Sequence, residues 1–218
     1  MEYHDSSSDD RDCARGSRKH THNKPASNII RIEDSIYFSE KINYDTVFEL
    51  IRCLRCAEID HLDDVKALEA EVKKSKVKCA DAIIEPRPIK LYLTTHGGLV
   101  HAAFSVVDCI RAMKVPVHTY VSGYVASAGT LISLAGAKRY ITPNAFMMIH
   151  EIRSGFWGRY SEVRVEHENI TKLMDHVTKY YLERTKITKE KLAEMLRTDN
   201  DLTAAESKEL GLVDEICK

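Results

Sequence analysis

Ser127 stands in "VASAG", where the run "YVSGYVASAGTLISL" passes from strand-like to helix-like spacing. A serine at that junction lies beside unsatisfied helix N-terminal amides, which favour negative charge developing on a nearby oxygen. Its hydroxyl is a weak nucleophile until a base takes the proton, and histidine is the side chain that titrates nearest neutrality. His150 follows the apolar, strand-like "AFMMI", an element rigid enough to aim its ring. An acid would orient that ring and stabilise its protonated form; Asp199, Asp201 and Glu151 are all available. Gly97 and Gly98 take the corresponding place after "LYLTT", where missing side chains let a backbone amide approach a substrate carbonyl. The competing reading is packing: small residues that let a helix lie close, a satisfied core histidine, and an exposed "DND" turn. The G-x-S-x-G elbow of general hydrolases is absent.

The elements that must position these groups are legible around them. "IKLYLTT" reads as a strand, "LVHAAFSVVDCIRAM" as a helix, "VPVHTYVSG" as a strand ending at Gly123, and "SAGTLISLAGA" as a helix. Strand, glycine turn and helix thus occur twice in succession, the mark of parallel β-α-β units whose reactive groups lie beyond the strand C-termini. Upstream, "NIIRIEDSIYF" reads as a strand and "NYDTVFELIRCLRCAEI" as an amphipathic helix capped by Asn43 or Asp45. The stretch "DHLDDVKALEAEVKKSKVK" continues as an exposed helical extension or charged linker. Downstream, a long helix from Tyr160 is expected to turn Val163, Ile170, Leu173, Met174, Val177 and Tyr181 inward. A short helix follows over Lys189 to Leu196, then one opened by a Thr203 and Glu206 capping box and ended by Gly211.

A chain of 218 residues suits one domain with a polar N-terminal arm over residues 1–28. Thirty-two basic against thirty-three acidic side chains leave a formal charge of -1 and no global field for nucleic acid or an anionic membrane. No run approaches the ~18 to 20 apolar residues of a membrane span or forms a signal peptide core, so a cytoplasmic or other soluble intracellular protein is expected. Six cysteines are scattered through the chain; Cys53 and Cys56 share a helix face without a second such pair, so they read as structural rather than metal or redox residues. His4, His20 and His22 lie in generic polar sequence, and no metal site is expected. There is no G-x-x-x-x-G-K-[ST] phosphate loop, so no cofactor is expected in this chain and any ATP chemistry belongs to a partner.

Taken in order, "LYLTTHGG", "GYVASAGTLISLAGAKRYITPNAFMMIH" and "LTAAESKELGLVDEI" resemble the proteolytic subunit of the Clp protease, a ring-forming serine peptidase of the crotonase-like (ClpP) fold. The resemblance runs from about Ile29 to Ile216, interrupted by the charged stretch near residues 62–85. It implies an α/β fold with repeated β-α-β units and a protruding helical handle, a peptidase domain over residues 29–218, and an arm or propeptide before it. It places the nucleophile on Ser127, the base on His150 and, counting back from "LTAAES", the acid on Asp199, with Asp201 the choice if the register slips.

The same resemblance assigns the oxyanion amides to Gly98 and Ala128, with Gly97 shaping the turn. Here "THGG" replaces the more usual "SPGG", so His96 is expected to alter the turn surface. Similar enzymes bind an extended peptide on a glycine-bearing handle strand after the histidine; "RSGFWGRYSE" takes that place, implying contacts from Ser154, Gly155, Phe156, Trp157 and Gly158. The implied activity is that of a serine endopeptidase acting on unfolded polypeptides or short peptides. It would work in a homo-oligomer of stacked heptameric rings fed by an AAA+ unfoldase. Two alternatives have other chemistry: a non-catalytic ring subunit or scaffold, and a crotonase-type enzyme that stabilises an acyl-thioester enolate with the same two amides.

Overall fold

A computed structural model describes residues 28–74 and 84–217. The arm before Asn28, with His4, His20, His22 and Cys13, lies outside the described residues, as does Cys79. The stretch read as one strand over residues 28–38 is a hairpin of β1 (Ile29–Ile32) and antiparallel β2 (Ser35–Phe38). Glu33, at φ 50°, and Asp34 reverse the chain between two β-branched runs.

Helix α1 (Tyr44–Lys74) is capped by Asn43, whose Oδ1 accepts the Thr46 amide at 3.0 Å while Thr46 Oγ1 accepts the Asn43 amide at 3.1 Å. Its buried residues, Val47, Leu50, Leu54, Ala57, Glu58 and His61, recur at helical spacing and then stop. The charged segment is therefore the same helix continued as a solvated extension to Lys74, with Leu68 half exposed.

The two β-α units are β3 (Ile89–Thr95) with α2 (Val100–Arg111), and β4 (Val117–Ala126) with α3 (Ala128–Leu134). After them come β5 (Lys138–Ile141), β6 (Phe146–Met148), α4 (Tyr160–Arg184), α5 (Lys189–Leu196), β7 (Asp201–Thr203), α6 (Ala204–Glu209) and β8 (Glu215–Ile216). Strand order is β1-β2-β3-β4-β5-β8, parallel from β2 onward. Leu91, Leu93, Val121 and Val125 of the central strands join Leu50, Val106, Leu131 and Ile132 of the first three helices in one core.

β4 forks the sheet. Its first half, His118 to Val121, pairs with β5, and its last three residues, Tyr124 to Ala126, pair with β6, which in turn pairs antiparallel with β7. The strand does not end at Gly123 as its sequence suggested. Leu93 faces Val121 but Thr95 faces Val125, so β4 carries a bulge there, with Gly123 at φ 72°. That bend delivers Ser127 to the end of β6, and His150 follows β6 by two residues.

Helix α4 buries Val177, Tyr180 and Tyr181 but nothing in its N-terminal half, where Val163 is 42% exposed instead of facing inward. α5 spans the predicted residues, and Thr203 and Glu206 close the predicted capping box on α6. No helix among the described residues is long and apolar enough to cross a membrane.

Candidate active site

Ser127 is one of two described non-glycine residues with positive φ, at φ 55° and ψ −129°. Such a conformation costs on the order of 1–3 kcal/mol and persists only where its surroundings hold it. Its amide donates to the Met148 carbonyl at 2.8 Å, tying the serine directly to the strand that leads to His150. Its carbonyl accepts the Thr130 amide at 3.0 Å and Thr130 Oγ1 at 2.6 Å. Strand end, helix start and neighbouring strand thus fix one backbone turn.

The turn after β3 presses against it. A Cβ at Gly97 would lie 2.7 Å from the Ser127 Cβ and 3.1 Å from the Ala128 nitrogen, so only glycine brings this backbone so near Ser127. Gly98 is clamped from behind: the Ile42 amide donates to the Gly97 carbonyl and the Leu99 amide to the Ile42 carbonyl, both at 2.9 Å. Thr95 Oγ1 accepts the Gly97 amide at 3.0 Å and donates to the Glu40 carbonyl at 2.6 Å. Gly97 thus lies against Ser127 and Ala128, and Gly98, assigned with Ala128 by resemblance as an oxyanion donor, is the next residue of the same clamped turn.

Ser127, Gly97, Gly98, Ala128, His150 and Asp199 all line one cavity of about 730 Å³. His150 is half buried there. Burial pushes its imidazole below the ordinary value, the Arg153 guanidinium adds to that, and Asp199 and Glu151 oppose it. Among the acids, Asp199 and Glu151 reach this cavity and Asp201 does not; the Asp201 carboxylate instead accepts the Tyr124 hydroxyl at 2.9 Å.

The side chains share the cavity without forming a hydrogen-bonded triad. His150 Nδ1 is buried with no partner, and Asp199 Oδ2 accepts from the Arg153 guanidinium. Arg153 was not singled out in the sequence; a lone arginine three residues past the histidine gives no pattern to read. His96, exposed at the cavity rim, places its ring 5.1 Å from that of Tyr124 and remains apart from the Ser127 turn's hydrogen bonds.

The expected handle strand is not a strand. Residues 151–157 have no regular structure, for a glycine at Gly155, another just beyond at Gly158 and no alternating apolar pattern give them no ladder to join. Ser154, Gly155, Phe156, Trp157 and Gly158 are exposed, Trp157 at 98%, and lie outside the cavity wall, which Glu151, Ile152 and Arg153 form instead. Cys53, Cys56, Cys109 and Cys217 are free thiols; burial raises the Cys53 thiol, the opposite of what a reactive or ligating cysteine needs.

A family model described as Clp protease matches residues 43–218. The chain belongs to the Clp protease family. Among solved structures, a mutant of ClpP1 from Listeria monocytogenes aligns with a TM-score of 0.67 and 24% identity, over 85% of this chain and 92% of that one. At that identity the likeness speaks for the α/β ClpP fold. The Clp protease match spans both β-α units, the Ser127 turn, His150 and the Asp199 loop, and supports a peptidase-type function.

Proposed function

We propose that this chain is a serine endopeptidase that hydrolyses peptide bonds of unfolded polypeptides or short peptides. The observation that carries the reading is Ser127, held at positive φ between the Gly97–Gly98 turn and the start of α3, in one cavity with His150 and Asp199 in a Clp protease family chain. His150 accepts the Ser127 proton as Oγ attacks the carbonyl, and the Gly98 and Ala128 amides hold the oxyanion. Asp199 orients the imidazolium, which protonates the leaving amine. Water, deprotonated by His150, then releases the acyl enzyme and restores the serine.

The family resemblance supports a homo-oligomeric chamber of stacked heptameric rings, with an AAA+ unfoldase supplying long substrates and using the ATP. The even charge balance and the lack of a spanning helix among the described residues fit a soluble, cytoplasmic setting. One observation favours a second reading, a ring subunit without turnover: Asp199 is engaged by Arg153 while His150 Nδ1 has no partner.

Fluorophosphonate labelling separates the two. The assembled parent is expected to be labelled at Ser127 and to cleave an unstructured protein or short peptides, with both lost in Ser127→Ala. A folded, assembled Ser127→Ala protein that cleaves at the parent rate would overturn the peptidase reading. Particle mass with and without an AAA+ ATPase tests the ring and the pairing; a monomer in both measurements would contradict the chamber.

A further inference from the structure

Arg153 has no role in the serine, histidine and acid scheme, yet it lines the same cavity and its guanidinium binds Asp199 Oδ2. The atom that should donate to that carboxylate, His150 Nδ1, is buried without a partner. A buried ring nitrogen left unpaired is costly, so the two observations describe one arrangement, in which the acid holds the arginine in place of the imidazole. We infer that Arg153 is a positioning residue that competes with His150 for Asp199, holding the site in a low-activity arrangement until its guanidinium is drawn away. This rests on the reading of Ser127, His150 and Asp199 as the catalytic group.

The pair is built to exchange. Arg153 is 70% exposed and Asp199 50%, and an ion pair so exposed is weak and screened by salt. The backbone around it is better held. The Glu151 amide donates to the Leu196 carbonyl at 2.7 Å, joining the segment after His150 to the end of α5, so the three side chains stay within one small region while the carboxylate changes partner.

Other groups around the cavity do not take the arginine's place. Glu40 accepts the Asn28 amide at 3.3 Å, and the Tyr124 and Tyr181 hydroxyls are engaged by Asp201 and Thr130. Lys41, His96 and Glu151 line the wall with no bond to His150.

Protonation of His150 can be followed without activity, by exchange of its C2 hydrogen across pH in the assembled protein, read by mass spectrometry. Arg153→Gln is expected to raise the His150 midpoint clearly when Asp199 is present, because the freed carboxylate then stabilises the imidazolium. In an Asp199→Asn background the same change should raise it much less. Fluorophosphonate labelling at neutral pH should accelerate in Arg153→Gln by about twofold to fivefold, the range an exposed pair is worth, and should not accelerate in the double variant. Arg153 is exposed and outside the core, so the fold should survive; circular dichroism checks it.

Equal midpoint shifts in both backgrounds would mean that Arg153 acts only as a nearby charge and would overturn the competition. Unchanged labelling in Arg153→Gln, with the parent labelled, would overturn it as well. Coupled midpoints with no variant labelled at Ser127 would uphold the competition and defeat the peptidase reading.

Discussion

Tyr181 of α4 and Thr130 of α3 share a hydrogen bond of 2.5 Å between their hydroxyls, and Thr130 passes it on to the Ser127 carbonyl at 2.6 Å. Each hydroxyl has one proton, so the chain has a direction: Tyr181 donates to Thr130, and Thr130 donates to Ser127. A fully buried tyrosine on a helix late in the chain thereby supports the strained serine turn.

That direction makes the two single substitutions unequal. Tyr181→Phe removes one donor and leaves the Thr130 bond to Ser127 intact, a loss of about 1 kcal/mol. Thr130→Val leaves a buried tyrosine hydroxyl without its partner and the Ser127 carbonyl one donor short, a loss of about 2–3 kcal/mol. Chemical denaturation at fixed protein concentration should rank them in that order, with the double variant costing less than the sum. The reverse ranking would refute the direction of the chain.

Gly98 offers a backbone test of the turn after β3. At φ 152°, a Cβ there would sit 2.0 Å from the Ile42 carbonyl oxygen, an approach no side chain can make. Gly98→Ala must part Ile42 from the turn and should destabilise by about 3 kcal/mol or more. Gly155→Ala, whose Cβ would meet nothing within 4 Å, should stay within about 0.5 kcal/mol of the parent. Thermal unfolding of both at one concentration decides this; a mild Gly98→Ala would mean that the clamp on Ile42 is dispensable.

His150 and His118 each contribute to the pH response just below neutrality. Burial lowers the His118 value, with Lys138 and Lys90 adding to it, and burial also leads the lowering at His150. For a histidine lowered in the folded state, the unfolded chain takes up the proton first as pH falls, so stability is lost from about pH 6.5 downward until the folded group also titrates. His118→Gln should flatten that slope below about pH 6.5. The same lowering keeps the His150 imidazole neutral below its ordinary value, so with His150 in the proposed role of base the acid limb of Ser127 labelling should lie below about pH 6.5. A limb clearly above that pH would contradict the buried, cation-flanked setting.

Much of this was legible because it lies in local pattern. The β-α repeats, the Thr203 cap, the short α5 helix and the Ser127 junction each depend on neighbours in sequence. The misses depend on distant partners. Gly123 looked like a strand end because a bulge is a property of two strands, here Leu93 and Thr95 against Val121 and Val125. Val163 has the period of a buried position, but nothing among the described residues buries that half of α4. The motif pointed to Asp199 but not to its partner: whether a carboxylate meets His150 or Arg153 is decided by side-chain placement, which spacing does not encode.

Arg139 locks the C-terminal end of α4, the helix that presents Tyr181. Its guanidinium donates to the Arg184 carbonyl at 2.7 Å, to the Gly211 carbonyl at 2.9 Å, and to both Asp214 oxygens at 2.5 and 3.1 Å. Arg184 in turn donates to the Leu134 carbonyl at 2.8 Å, so β5, the ends of α3 and α4, and the segment before β8 meet at one fork. Against the upward push of burial, hydrogen bonds and charge from Arg139 hold the Asp214 carboxyl below its usual range. A lowered carboxyl contributes stability above its unfolded value, near 3.8, and loses it as pH falls through the folded value. Arg139→Lys keeps the charge but cannot make the fork, and should cost about 2 kcal/mol at pH 7. Asp214→Asn should remove this carboxyl's share of the acid-induced loss below about pH 4. If the parent and Asp214→Asn lose stability in parallel through that range, the fork is not the source of the acid sensitivity assigned to it.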